Sequence, residues 1–344
     1  MPQHMAKAKY MAVSRIRPTM SKPTPSFVIS LDFELMWGVR DHYDKSTYGA
    51  NILGERDAIP AMLAAFAKYG IRATWASVGM AFAESKDELL ASCPSNRPTY
   101  ENPRLSNYAY IDEVGENEKK DPYYFGASLI RQIAQQDGQE IGSHTFSHYY
   151  CLEPGQTPEQ FCDDMDAAVA IASRYGIQLR SFVFPRNQYS AQHLAALAGQ
   201  GINVFRGNES SWIYRATPGA GQSKLQRGFR LADHYINITG ANGQTPRRDG
   251  ALIDLPASRF LRPYSRKLAF ADNLRLSRIL SAMTHAAQTG EVFHLWWHPH
   301  NFGVNTGENI AFLTRILEHF RELEDRFGMT SQNMGDFYAD HDCN

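Results

Sequence analysis

Three short segments carry residues whose types and spacing can do chemistry. In QEIGSHTFSH (Gln139 to His148), a strand pattern runs into His144 and His148, spaced i and i+4. On a helical turn that spacing puts both imidazoles on one side, near enough to hold a single cation. Gly142 and Ser143 precede the pair at a strand end, where barrel enzymes place their catalytic groups. In SLDFELMWG (Ser30 to Gly38), Asp32 and Glu34 follow an apolar strand with one aromatic residue between them. Alternation along a straight strand points both carboxylates to the same side. Two carboxylates at the end of a buried strand are costly unless a metal or hydrogen bonds compensate them. The third segment, EVFHLWWHPHNFG (Glu291 to Gly303), is an apolar strand that ends in His298, Pro299 and His300. Pro299 restricts the residue before it to extended geometry, so His298 sits where the strand stops. His294, inside the strand pattern, reads as a satisfied core histidine, and the pattern assigns no role to His300.

These segments need a scaffold that brings strand ends together. Short β-rich runs alternate with helical patterns along the chain, the signature of parallel strands joined by crossover helices. Strands are expected at Phe27 to Asp32, Ile71 to Val78, Glu140 to Ser143, Ser181 to Phe184, Ile202 to Phe205, Leu252 to Leu255 and Val292 to Trp296. Helices are expected at Arg56 to Tyr69, Pro158 to Tyr175, Ala191 to Ala198, Asn273 to Gln288 and Glu308 to Phe327. The resulting expectation is an α/β fold, a distorted or incomplete barrel of seven strands, with long loop insertions. Two stretches, Glu84 to Gly126 and Asn208 to Gly250, exceed ordinary loop length and are candidates for walling a substrate cleft.

Composition narrows the partners. The chain has 344 residues, 43% of them hydrophobic, and 35 basic against 36 acidic side chains. That balance gives no electrostatic reason for binding nucleic acid or an acidic membrane. Residues 1–26 hold five Lys or Arg and no acid, and read as a loose basic tail ahead of a single catalytic domain over residues 27–344. The tail lacks the apolar stretch of a secretory signal, and no window approaches the roughly 20 apolar residues of a membrane span, so a cytoplasmic address is expected. Cys93, Cys151, Cys162 and Cys343 lack CxxC spacing and read as reduced thiols.

The order and spacing of the three segments resemble the polysaccharide deacetylase family, the NodB homology domain of the carbohydrate esterase family 4 type. GSHTFSH is close to the family's histidine motif, GIRATWASVG to the stretch before it, and the resemblance covers Phe27 to Trp297. It implies a distorted seven-stranded barrel, a divalent metal ion and hydrolysis of an N-acyl amino sugar. Carried over residue by residue, Asp32 is the general base, Glu34 the acidic metal ligand, His144 and His148 the metal imidazoles, and His298 the general acid. The family's adjacent Asp-Asp is D-x-E here, which leaves open which carboxylate meets the metal. Its third motif places an Arg two residues before a Pro; here Arg186 follows Pro185, and is the candidate for orienting the base. Its fourth motif, an acid close to a Trp, is matched loosely by Glu209 and Trp212, and Asp254 in LIDLP is another candidate partner for His298.

Two histidines and one carboxylate leave open positions on a divalent ion, most simply Zn²⁺, although mixed ligands also suit Co²⁺, Ni²⁺ or Mn²⁺. Trp37, Trp212, Trp296 and Trp297 offer flat faces to a sugar ring. Trp212 and Trp297, with Asp254, form the expected substrate-binding set. The expected substrate is an N-acetylated sugar of a surface-polysaccharide or glycan pathway. The rivals are an amidase for a ureide or cyclic amide, and a carbohydrate-binding barrel without turnover.

Overall fold

The computed structural model describes residues 24–209, 211–214 and 224–341. Its strands are β1 (Ser26–Phe33), β2 (Ala73–Ser77), β3 (Gln139–Ser143), β4 (Ser181–Phe182), β5 (Val204–Phe205), β6 (Arg247–Asp249), β7 (Leu252–Asp254), β8 (Arg259–Phe260), β9 (Val292–Trp297) and β10 (Thr330–Gln332). They form one curled sheet in the order β6-β7-β5-β4-β3-β2-β1-β9-β8, with β10 also on β1. All neighbours are parallel except the β6–β7 pair. Every strand expected from the sequence is present; β6, β8 and β10 are additional and too short to show a periodic pattern.

The two sides of the sheet meet through one extended segment. Leu255 and Ala257 donate their backbone N–H groups to Phe205 and Gly207, each at 3.0 Å, whereas Ser258 and Leu261 donate to His294 and Trp296, each at 2.8 Å. The same stretch thus pairs first with β5 and then with β9, which draws the sheet into a barrel without an eighth strand-helix unit.

Period-2 alternation sorts the side chains of the central strands. On β1, Phe27, Ile29, Leu31 and Phe33 join the large core shared with the helices, while Val28 belongs to a small interior cluster with Ala76, Val183, Val204 and Ile253. Ser30 and Asp32 share the parity of Val28, so the barrel interior turns polar toward the C-terminal ends of the strands. On β9, Phe293, Leu295 and Trp297 join the outer core. His294 points inward, and its Nε2 lies 2.8 Å from Ser30 Oγ.

The helices are α1 (Lys45–Tyr69), α2 (Lys86–Ser92), α3 (Ala127–Ala134), α4 (Pro158–Arg174), α5 (Ala191–Ala198), α6 (Lys224–Asp233), α7 (Asp272–Thr289), α8 (Thr306–Phe327) and α9 (Asp336–His341). Among the described residues no helix is long and apolar enough to cross a membrane. The expected helix over Arg56 to Tyr69 in fact begins at Lys45, where Asp44 and Thr47 form a capping box. Gly49 and Gly54 hide that extension in the sequence, since glycine is a poor helix former. Gly54 is required by packing. A Cβ there would lie 1.8 Å from the carbonyl oxygen of Gly303, and one on Gly303 would lie 1.9 Å from that of Asn51. The two backbones touch where the turn following His298 docks on α1. Gly54→Ala, although favourable for an isolated helix, is therefore expected to destabilise the protein by about 1–3 kcal/mol through overpacking. A urea melt showing equal or greater stability would contradict this.

Candidate active site

Asp32 ends β1 with its side chain inside the barrel, 3% exposed. Its compensation is an ion pair with Arg206, which lies one residue past β5. The Arg206 Nη1 and Nη2 groups donate to Asp32 Oδ1 and Oδ2, each at 2.7 Å, and further to Ser30 Oγ at 3.0 Å and Asn187 Oδ1 at 3.2 Å. The guanidinium also stacks 4.2 Å over the Trp296 ring. Burial alone would raise the Asp32 carboxyl, but the charge and hydrogen bonds of Arg206, with His144 and His298 nearby, hold it below its ordinary value.

Glu34 is the hub of four imidazoles. His144 Nε2 and His148 Nε2 lie 3.0 and 3.2 Å from Glu34 Oε1, His298 Nε2 lies 3.5 Å from the same oxygen, and His300 Nε2 lies 3.7 Å from Oε2. His298 Nε2 is also 3.8 Å from Asp32 Oδ2. Burial pushes the Glu34 carboxyl up, yet His298 and His148 and the hydrogen bonds of His144 and His148 hold it well below the usual carboxylate range. Desolvation pulls His148 below the ordinary imidazole value.

The His144 ring shows what this arrangement suits. Its Nδ1 lies 2.8 Å from the Val183 carbonyl, which only accepts, so in the neutral ring the proton sits on Nδ1 and Nε2 offers a lone pair. A lone pair facing a buried carboxylate oxygen needs a positive charge between them. The ligand atoms of Glu34, His144 and His148 all lie within 4.8 Å of one another, as do those of Glu34, His298 and His300. Mixed carboxylate and imidazole donors fit a divalent cation, and an outward Nδ1–H bound to a carbonyl is the usual support of a metal-ligating histidine.

The two histidines meet by a different route from the helical turn expected. Thr145 and His148 both have left-handed backbones, φ 64° and 58°, so the i, i+4 pair converges through a tight loop. Asp164 of α4, fully buried, holds that loop. It accepts the backbone N–H of Phe146 at 2.7 Å and of Ser147 at 3.2 Å, the Tyr108 hydroxyl at 3.2 Å and a short bond from the Ser147 hydroxyl. Burial raises its carboxyl to about 6, against the pull of those bonds.

The cluster opens into a cleft of about 880 Å³ lined by Asp32, Glu34, His148, His298, His300 and Trp296 among others. Both long insertions reach it, through Asn102, Arg104 and Leu105 of the first and Arg227 of the second. Asn107 ties the first insertion to two motifs by donating to the Trp37 and Ser147 carbonyls at 3.0 and 2.8 Å.

Several expected residues stand elsewhere. Arg186 does not contact Asp32: it pairs with Asp41 and, at 3.2 Å, with Glu153, stacked on Tyr150 at the cleft wall. Arg206 holds Asp32 instead, and its signal is a charged residue directly after a buried strand. Trp297 is fully buried against Phe66 and Phe302, because its parity on β9 points it outward; Trp296, of opposite parity, faces the cleft beside Phe260. Asp254 pairs along the sheet with Phe205 and does not line the cleft; burial raises its carboxyl to about 6. The neighbours of His298 are Asp32 and Glu34 rather than Asp254 or Glu209. Glu209 sits buried near Arg259, its carboxyl pushed up to about 8 by burial. The side chain of Trp212 lies outside the described residues. His294 is the satisfied core histidine expected.

A parallel sheet curled into a barrel, with a buried carboxylate-imidazole cluster at the C-terminal ends of its strands, places the molecule among the α/β barrels that carry their site on that face. The family model for polysaccharide deacetylases matches residues 22–205. The chain belongs to the polysaccharide deacetylase family. The crystal structure of a "putative polysaccharide deacetylase from Mycobacterium smegmatis" is similar at 14% identity and a TM-score of 0.57, over 93% of this chain and 91% of that one. The structure of PuuE allantoinase is similar at 10% identity and a TM-score of 0.53, over 91% and 88%. Both likenesses concern the fold. No curated protein sequence matches the chain.

Since Arg206 keeps Asp32 ionised, Arg206→Met should raise the Asp32 pKa. The acidic limb of the kcat/KM profile should then move to higher pH, because the carboxylate form is lost sooner as pH falls. Arg186→Gln should leave that limb in place; the reverse pattern would return the orienting role to Arg186. Asp164→Ala, which strips acceptors from the buried Phe146 and Ser147 N–H groups, should lower stability by about 1–3 kcal/mol for each group left unpaired. Unchanged urea stability would show that the loop does not depend on Asp164.

Proposed function

We propose that this chain is a metal-dependent N-deacetylase that hydrolyses the acetamido group of an amino sugar in a glycan or its precursor. The observation that carries the reading is the buried convergence of Glu34 Oε1, His144 Nε2 and His148 Nε2, with the His144 lone pair turned toward the carboxylate, beside an ionised, arginine-held Asp32. Family membership supports the substrate class.

Glu34, His144 and His148 would hold the divalent cation, with Zn²⁺ the simplest choice. Bound there, it would supply Lewis acidity to polarise an acyl oxygen and acidify a water. Asp32 takes the proton of the attacking water, and the Arg206 fork keeps the carboxylate oriented while it does so. His298 delivers a proton to the departing nitrogen, which is too poor a leaving group to go as an anion. Burial pulls this imidazole below its ordinary value, against the opposing pull of Glu34 and Asp32. Asp32 Oδ2, 3.8 Å from His298 Nε2, is placed to pass on the proton it takes from the water. Trp296 and Phe260, with ring centroids 4.8 Å apart, offer an apolar wall for a sugar face.

Purified enzyme loaded with Zn²⁺ or Co²⁺ should release equal amounts of acetate and free amine from N-acetylated amino-sugar oligosaccharides. Turnover of ureides with none of these sugars would overturn the reading, as would sugar binding without turnover. His144→Ala or His148→Ala should greatly weaken the cation, read by elemental analysis. Asp32→Asn and His298→Ala should keep the cation and the fold and lower the chemical rate by about 10²- to 10⁴-fold. A cation-replete His298→Ala enzyme at the wild-type rate would remove His298 from the mechanism.

A further inference from the structure

Glu34, His298 and His300 match the ligand spacing of Glu34, His144 and His148, so the cluster resembles a bed for two cations. The hydrogen bonds around His300 point elsewhere. Tyr48 of α1 places its hydroxyl 2.9 Å from His300 Nδ1, and the Asn301 amide donates to that hydroxyl at 3.3 Å and lies 3.4 Å from Nδ1. The amide nitrogen is a donor only and the hydroxyl can donate as well, so both neighbours of Nδ1 can give it a hydrogen bond. His300 Nδ1 therefore accepts, and the ring proton sits on Nε2, the opposite of His144, whose Nδ1 faces a carbonyl. His300 is 3% exposed, its Nε2 has no hydrogen-bond partner, and the anionic atom it faces is Glu34 Oε2 at 3.7 Å. An approach of about 0.8 Å makes that an ordinary N–H···O bond. A second cation would also meet an electrostatic obstacle, since both candidate groups share the single carboxylate of Glu34 and Asp32 is already neutralised by Arg206.

We propose that His300 is a positioning residue, which directs an N–H at Glu34 Oε2 so that Oε1 stays turned toward His144 and His148. The inference rests on the cation site proposed above. Helix α1 fixes the part His300 plays: Tyr48 orients the ring, Asn51 donates to the His300 carbonyl at 3.3 Å, and Gly54 lets the turn dock.

The test is a titration of metal-free full-length wild type and of His300→Ala, His300→Gln and Tyr48→Phe with Zn²⁺ against a competing chelator. Co²⁺ absorption spectra report the ligand set, and circular dichroism checks folding. One equivalent per chain is expected throughout, with affinity falling about 10- to 100-fold in His300→Ala, the usual effect of losing a ligand's supporting bond. His300→Gln, whose amide can donate, should recover part of the loss. Tyr48→Phe should fall between wild type and His300→Ala, and the Co²⁺ spectrum of His300→Ala should keep the wild-type band positions. Unchanged affinity in both His300→Ala and Tyr48→Phe would overturn the proposal. So would two equivalents in wild type falling to one in His300→Ala, or a spectral change like that of His144→Ala, either of which would make His300 a ligand. Wild type that binds no cation would instead sink the underlying site assignment and take this inference with it.

Discussion

The structure depends on the burial of two carboxylates at the end of its central strand. Neither Asp32 nor Glu34 can stay ionised there without opposite charge, and the molecule compensates them differently. Asp32 receives a permanent cation, the rigid fork of Arg206, and is thereby fixed in one orientation and held ionised at rest. Glu34 receives imidazoles, which are neutral ligands when buried and leave room for an exchangeable charge. That division sets apart two carboxylates that stand only two positions from each other, one near the end of β1 and one just past it.

The surrounding shell maintains the division. The Val183 carbonyl sets the tautomer of His144, Asp164 clasps the loop between the two histidines, and Asn107 ties the first insertion to both the Trp37 and Ser147 backbones. These residues come from β4's end, α4 and the first insertion, so the geometry of the cluster is distributed over most of the sheet. The interior changes from the Val28 cluster to Ser30 and Asp32 along a single strand, which keeps the polar groups at the end where the strands open.

Much of this was legible in the sequence because it follows from periodicity and residue type. The strands bearing Asp32, His144 and His298 were all found from apolar runs, and the three motifs do converge. The failures have separate physical causes. Trp296 and Trp297 look equivalent as residues, but alternation decides between them, and the parity of His298 already favoured Trp296. Arg186 stands beside Pro185 as the motif suggests, whereas the ion pair is set by which strand end faces Asp32 across the barrel, a relation that depends on sheet order. The same limit hid Asp164, which acts through a contact between a helix and a loop and bears no local signature. The HxxxH spacing suggested a helical turn, but a loop with two left-handed residues achieves the same meeting, at a conformational cost that Asp164 and its partners offset.

The position of β1 between β2 and β9 also has a consequence for how the molecule is made. The site draws Asp32 and Glu34 from the end of β1 and the turn after it, and His298 and His300 from the turn that follows β9, over 260 residues later in the chain. Until residues 292–297 emerge, the apolar β1 has an unpaired edge along Ser26–Leu31. Such an edge invites pairing with another chain, and contacts so distant in sequence form slowly. Chains cut before residue 292 would therefore leave β1 open on one side, and should be aggregation-prone rather than partly folded.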